Sequence, residues 1–432
     1  MRRPFTLSIV VILLVAGCRH KPVEEVRLSA AAVSAKATPI EASDDDWPAW
    51  RGSTGDNKAT GPLPPLKWSS TENVLWRADV PGSGHATPIV CGERVFVATA
   101  DTNQETMSLL CFSRATGERR WERELHRGGF MHTHQKNSQA SPTPACDGQR
   151  VFTAFTVQNG LHVSAVDLDG QIVWQTQAGP FSSQHGYGSS PVLFESLVIV
   201  SGDNRGPGYL AALHRETGEI VWRIQRGNSP SYSTPIIAHV AGKNQLLLSG
   251  QDHVTSYDPM TGDLLWQSDG PASTTANTMA WNDEFVFASG GYPEDGVLAI
   301  RADSGQVAWK SDERDYVPSP LALGDRLLIV QDRGVAICLD AATGKELWKQ
   351  RLGGNFSASP TLVGEHVYVP DEAGKTLVFK VTPKFEKIAV NDLGDGGFAS
   401  PVICGGQLFL RTSRYLYCIA ESPREAVVSG AE

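Results

Sequence analysis

Helical periodicity is missing from this sequence. Nowhere in its 432 residues do apolar side chains recur at three- and four-residue intervals over a window long enough for an amphipathic helix. Blocks of like charge are missing too: 38 Lys and Arg against 47 Asp and Glu leave a formal net charge of -9 without basic runs. No nucleic acid is therefore expected as a partner. The sequence has no GxSxG nucleophile elbow, no HExxH, no Walker A loop and no CxxCH haem site. These absences leave no catalytic residue to name and point away from an enzyme. What the sequence has in quantity is turn-formers and large apolar side chains, with 42 Gly, 26 Pro and 11 Trp in a chain that is 41% hydrophobic. At this length about three quarters of the unfolded surface can be buried.

The chain begins with Arg2 and Arg3, an apolar run from Leu7 to Val15, and then Ala16, Gly17 and Cys18. That run falls short of the ~20 residues needed to cross a bilayer and reads as a secretory signal of residues 1–18. Its Val-Ala-Gly-Cys ending resembles a bacterial lipobox, which implies lipidation of Cys18 and a membrane held through that anchor. Arg19 follows, where an inner-membrane retention signal would carry Asp, so a periplasm-facing outer-membrane location in the cell envelope is expected. Residues 19–46 are rich in Ala, Glu, Lys, Ser and Asp without apolar periodicity. They are expected to form a disordered tether, and 422–432 a flexible tail, around a domain of 47–421. Of the six cysteines beyond Cys18, at 91, 111, 146, 338, 404 and 418, scattered buried thiols are expected. A bridge inside the first or last repeat, Cys91 with Cys111 or Cys404 with Cys418, is the alternative.

The domain is repetitive. Gly117 and Trp121, Gly170 and Trp174, Gly218 and Trp222, Gly262 and Trp266, Gly305 and Trp309, and Gly344 and Trp348 are each separated by four residues. Thr, Asp or Ser precedes each glycine, as suits a tight hairpin with a φ > 0 position. Upstream in each unit Ser or Thr and then Pro introduce an alternating apolar run, at Pro88, Pro144, Pro191, Pro235, Pro320, Pro360 and Pro401, with Met279 in that place once. Units of 40 to 56 residues with about four short strands predict an all-β fold, an eight-bladed β-propeller of four-stranded antiparallel blades. The unit from Pro360 has Lys384 for the glycine and Ile388 for the tryptophan, so the count is eight, or seven if that unit is not a blade. The last unit runs out before an outer strand. Trp76 lies twelve residues before Pro88, as Trp348 does before Pro360, so a strand at Val74 to Val80 is expected to complete it and close the ring.

The xTGxxxW hairpin with its small-Pro strand resembles the PQQ-like (quinoprotein-like) propeller repeat, found in quinoprotein dehydrogenases and in the propeller lipoprotein of the outer-membrane β-barrel assembly machinery. The lead-in DWPAWRGSTGDN is similar to that of other bacterial propellers of the class, planctomycete-type homologues included. The resemblance implies that Trp76, Trp121, Trp174, Trp222, Trp266, Trp309 and Trp348 pack between adjacent blades. It also implies two functions. One is a protein- or ligand-binding scaffold, expected as a monomer with an envelope protein or small ligand as partner. The alternative is a quinoprotein oxidoreductase, but such enzymes stack the quinone on a vicinal Cys-Cys disulfide and hold Ca²⁺. No two cysteines are adjacent here and no acidic run marks a Ca²⁺ loop, so neither PQQ nor a metal is expected.

Connections before the small-Pro strands should emerge on one face of a propeller. Three successive ones are rich in polar groups: PGSGHATP with His85, FMHTHQKNSQASPTP with His132, His134, Lys136 and Asn137, and FSSQHGYGSSP with His185 and Tyr187. Asp203, Asn204 and Tyr232 are expected beside them on a candidate binding face. The same residue types also satisfy exposed loop backbone. The 22 residues between Trp121 and Pro144 make the longest connection and the first choice for a recognition element. Tyr187, Tyr232 and Phe356 raise a third possibility, a glycan-binding propeller.

Overall fold

The computed structural model describes residues 22–28, 38–182 and 185–421. Cys18 and the tail at 422–432 lie outside the described residues. The described chain forms eight sheets, each built on a four-stranded antiparallel blade, one per repeat, and two of them gain a short fifth strand. From the axis outward blade 1 runs Ile89–Cys91, Arg94–Asp101, Thr106–Ser113 and Arg119–Arg127. Blades 2 to 7 repeat the order over 145–180, 192–225, 236–269, 280–311, 321–351 and 361–392. Blade 8 takes Val402–Cys404, Gln407–Arg411 and Tyr415–Ile419 from the end of the domain. Its outermost strand is Val74–Asp79, antiparallel to Tyr415–Ile419 with Trp76 opposite Cys418. The degenerate unit is thus a full blade, and the ring is closed by the N-terminal strand.

Burial explains the strand composition. The middle strands are covered on both faces by neighbouring blades, so Tyr209–His214 and Leu197–Ser201 are buried throughout and read as continuous apolar runs. The outermost strands meet solvent on one side and alternate, as in Arg119–Arg127.

Each tryptophan docks on the next blade's turn. Trp76 Nε1 donates to Arg114 O at 2.8 Å, Trp121 to Leu168 O at 3.0 Å, Trp174 to Arg215 O at 2.9 Å and Trp309 to Ala341 O at 2.9 Å. Trp222, Trp266 and Trp348 donate in the same way to Pro259, Ala302 and Thr382. The hairpin glycine is required twice over. Gly218 sits at φ +74°, and a Cβ there would stand 2.6 Å from the Trp174 ring; at Gly117, with φ +73°, it would stand 2.5 Å from Trp76. Blade 7 lacks this tryptophan, and a lead-in residue substitutes for it. Trp68 stacks on Tyr368 with centroids 6.2 Å apart, between the cores of blades 7 and 8, and its backbone N–H, not its indole, donates to Asn391 Oδ1 at 3.0 Å.

The lead-in crosses the axis before it reaches blade 8. Trp47 and Val90 exchange backbone hydrogen bonds of 2.9 Å on blade 1, and Pro48 O accepts Cys146 N on blade 2. Trp50 Nε1 donates to Thr278 Oγ1 at 2.9 Å on blade 5. The buried Arg51 guanidinium donates to the carbonyls of Thr278, Met279 and Pro320, and Lys58–Ala59 lies parallel to Thr361–Val363 of blade 7. Burial lowers the Arg51 pKa to about 10, which leaves it charged at neutral pH.

Parts of the stretch expected as a disordered tether are seated on the propeller instead. Val26–Arg27 adds a fifth strand to blade 3, antiparallel to Ile220–Gln225. Thr38 donates to Glu216 and accepts from Arg215 Nη2 at 2.7 Å, and Glu41 N donates to Asp147 O. Low hydrophobicity misled the expectation, because an open strand edge recruits backbone groups whatever the side chains. Neither cysteine bridge within a blade is feasible. Arg94–Asp101 separates the strands carrying Cys91 and Cys111, and Gln407–Arg411 separates those of Cys404 and Cys418. Two ladder spacings are roughly 9.5 Å, beyond the ~7 Å limit for a disulfide's Cα atoms.

Candidate functional site

The Ser or Thr ahead of each inner strand builds a ring around the axis. Thr87 N donates to Thr143 Oγ1 (3.1 Å), Thr143 N to Ser190 Oγ (2.9 Å) and Ser190 N to Thr234 Oγ1 (3.0 Å). On the other side Thr278 N donates to Ser319 Oγ, Ser319 N to Ser359 Oγ, Ser359 N to Ser400 Oγ and Ser400 N back to Thr87 Oγ1. At seven of the eight positions a hydroxyl accepts the neighbouring blade's N–H where strands crowd too closely for a ladder, and at the eighth Thr278 Oγ1 accepts from Trp50 Nε1 instead. The landmark read in the sequence as a strand opener is thus also the hub of the molecule.

This ring lines a cavity of about 110 Å³ on the axis, with Trp50 of the lead-in also in its wall. Two residues before each hydroxyl comes a second ring, whose members differ: His85, Ser141, Gly188, Tyr232, Ala276, Val317, Ser357 and Phe398. The first ring is uniformly Ser or Thr because the same bond recurs at seven of its eight joints. The second carries whatever selectivity the cavity has.

Above these rings the polar connections converge. His85 stacks on Phe398 at 4.4 Å, and its pKa is lowered to about 4 by burial and then by the nearby Arg411 charge, so it is neutral at pH 7. His134 and His185 meet edge to face at 5.6 Å, and His185 and Tyr232 at 6.3 Å. Asn137 Nδ2 donates to His185 O at 2.7 Å, and Lys136 reaches Glu372 of blade 7 at 2.8 Å. His132 belongs to the same connection, and burial followed by His134, Arg205 and His132 lowers the His185 pKa. The expected face therefore contains His85, His132, His134, Lys136, Asn137, His185 and Tyr232. Sequence reasoning missed Trp50, Glu372 and Phe398, which lie far away along the chain.

Three expected members are elsewhere. Tyr187 is a core residue, 5% exposed, with its hydroxyl donating to Ser201 O at 3.0 Å. Asp203 and Asn204 are 2% and 1% exposed; Asp203 pairs with Arg226, and Asn204 braces its own turn through Gly202 O and Gly206 N. Phe356 is wholly buried, so of the three aromatics proposed for glycan stacking only Tyr232 reaches the site. Burial of an aromatic between blades outweighs any exposure that its loop position offers. The long connection after Trp121 is also shorter than expected, because Arg119–Arg127 is strand.

A buried carboxylate went unnoticed in the sequence. Asp315 is fully buried in the connection from blade 5 to blade 6, and burial and then the Asp332 charge raise its pKa well above the ordinary 3.8. Its Oδ1 and Asn277 Oδ1 have no hydrogen-bond partner. Folded-state stability from such a group is complete below the unfolded value near pH 4 and declines as pH rises through the raised folded value. Asp315→Asn is therefore expected to change the melting temperature little at pH 4. By pH 8 it should melt several degrees above wild type, as thermal melts across that range would show.

The quinone implied by the repeat class does not fit. The axial cavity is well below the ~300–1,000 Å³ of small-molecule sites, and the lead-in that carries Trp50 spans it. Residues 276 and 278 face the cavity, while Asn277 Nδ2 bonds Ser289 Oγ between the strands. The orphaned oxygens of Asn277 and Asp315 fall short of the roughly six to eight ligands of Ca²⁺. Among the described residues no group of three or more His, Cys, Asp or Glu is placed to hold a metal ion.

Comparison with known proteins agrees with this architecture. Residues 66–178, 159–312 and 293–382 match the family model described as outer membrane protein assembly factor BamB. The protein of that name from Legionella pneumophila (strain Paris) is 27% identical over 193 residues, 42% of this chain and 47% of the relative, about half its length. That from Yersinia pestis is 24% identical over 376 residues, 81% of this chain and 89% of its own. A europium-containing methanol dehydrogenase shares the fold, with a TM-score of 0.62 at 11% identity over 86% of this chain and 90% of that one. The family matches span most of the propeller, from residue 66 to 382, and the chain belongs to the PQQ-like β-propeller family of the outer membrane protein assembly factor BamB.

Proposed function

We propose that this chain is a cell-envelope scaffold, held at the outer membrane by lipid on Cys18, that binds a partner protein through the loop face over its axis. The observation that carries the reading is the anchoring of the 130–139 loop. Phe130 packs into the core of blade 1 and bridges Val157, Met131 packs against the core of blade 2, and Gln139 Nε2 donates to Met131 O. His134 and Lys136 are thereby held outward, with Lys136 52% exposed, above a cavity too small for a large ligand. A pre-organised polar loop on a rigid base loses little entropy on binding. Relatives named for outer membrane protein assembly support the same reading.

The test is a photo-crosslinker at Gln135 in intact cells, in wild type and in His134→Ala/Lys136→Ala. The adduct with an envelope protein is expected to fall at least tenfold in the variant. Thermal unfolding should hardly move, since an exposed ion pair contributes about 0–1 kcal/mol. Undiminished crosslinking would refute the loop as the binding element. Cys18→Ser is expected to move the protein from the membrane to the soluble fraction, and retention there would refute the anchor.

A further inference from the structure

Cys91 ends the innermost strand of blade 1, and Cys146 ends that of blade 2. The lead-in sits on both strand ends. Trp47 pairs with Val90 in both directions at 2.9 Å, Pro48 O accepts Cys146 N at 2.8 Å, and Asp46 Oδ1 accepts Gly92 N at 2.8 Å. These bonds fix the two backbones side by side. The two sulfurs face each other 2.6 Å apart, in a site where Cys91 is 7% and Cys146 1% exposed. Non-bonded heavy atoms rest at about 3.5–4.0 Å, so two separate thiols do not suit this placement. Among the described residues the other four cysteines, Cys111, Cys338, Cys404 and Cys418, are buried in the blades, with Cys404 and Cys418 on non-adjacent strands of blade 8.

We propose that Cys91 and Cys146 form a disulfide that staples blade 1 to blade 2 beneath the lead-in. The bond forms by exchange with a protein disulfide donor, the oxidant available to an exported chain. One cysteine thiolate attacks the donor's disulfide, giving a mixed disulfide and releasing one donor thiolate. The second cysteine then attacks the mixed disulfide, forming Sγ–Sγ and leaving the donor as a dithiol, so two S–H bonds are lost and two electrons pass to the donor. Exchange must precede docking of Trp47 and Pro48, because the folded site admits no reagent. Once closed, the staple ties off a segment whose ends are 55 residues apart and restricts the unfolded chain accordingly.

The experiment uses the full chain exported into an oxidising compartment, denatured in alkylating reagent without reductant, and digested with trypsin. The expected product is peptide 78–94 joined to peptide 137–150, two mass units lighter than the sum, with Cys111, Cys338, Cys404 and Cys418 alkylated. Reduced wild type and the Cys91→Ala/Cys146→Ala variant should both melt lower than oxidised wild type, by roughly 4–8 °C. Alkylation of Cys91 and Cys146 in the exported protein, or a linked peptide containing any other pair, would overturn the proposal.

Discussion

Chains shortened to begin at Pro81 are expected to aggregate instead of forming a ring. The truncation removes Val74–Asp79 and leaves the backbone of Tyr415–Ile419 as an open edge, a template for pairing with other chains. It also removes Trp76, which is 8% exposed, reaches Phe409 at 5.9 Å and covers Gly117 of blade 1. Blade 8 would lose its outer strand and its dock on blade 1 together. Trp76→Ala isolates the second contribution, with an expected cost of about 3–5 kcal/mol. Size-exclusion chromatography and denaturant unfolding check both. A soluble, cooperatively unfolding truncated monomer would show that the N-terminal strand is dispensable to closure.

Arg226→Met is expected to destabilise the fold by about 3–5 kcal/mol. The Arg226 and Asp203 side chains are 4% and 1% exposed. Nε and Nη2 donate to the two oxygens of Asp203 at 2.8 and 3.1 Å, and Nη1 donates to Thr255 Oγ1 and Tyr257 Oη. Burial pulls the guanidinium's pKa down, and the Asp203 charge, with the hydrogen bonds to Asp203 and Tyr257, more than offsets it. Burial raises the pKa of Asp203 even with its partner present. Removing the cation therefore leaves a carboxylate between blades 3 and 4 that must take up a proton or unfold its surroundings. Adding Asp203→Asn to Arg226→Met should recover more than half of the loss. Chemical denaturation of the two singles and the double gives the coupling, and an additive double would mean that the residues act separately.

The blades were legible in the sequence because each repeats the same local requirements. Gly at φ > 0 and a tryptophan four residues later mark the hairpin and the dock on it, and the Ser/Thr-Pro step marks the inner strand. Even the closing strand could be placed, since Trp76 keeps the repeat's spacing to Pro88. What the sequence hid are contacts made once. Trp68 replaces a tryptophan missing from blade 7, and Trp50 and Arg51 span the axis, but no periodicity announces them. Half of the site was visible as polar connections, whereas Tyr187, Asp203 and Asn204 carry the same chemistry and face inward. Loop membership does not say which way a side chain turns when blades pack on both sides. The docking of Val26–Arg27 was invisible for another reason, because it depends on an unpaired edge far along the chain.

The path of the lead-in sets the order of assembly. Asn57 Nδ2 donates to Pro360 O, a separation of 303 residues, and Val74–Asp79 waits for Tyr415–Ile419. Trp47 and Pro48 can seat on blades 1 and 2 early, but the lead-in from Asn57 onward and the closing strand have no seat until the last blades arrive. Single blades can form as the chain emerges, but the circle stays open until its two ends meet. Loop closure over such separations is entropically costly and slow, so closure of the ring is expected to be the late step of folding.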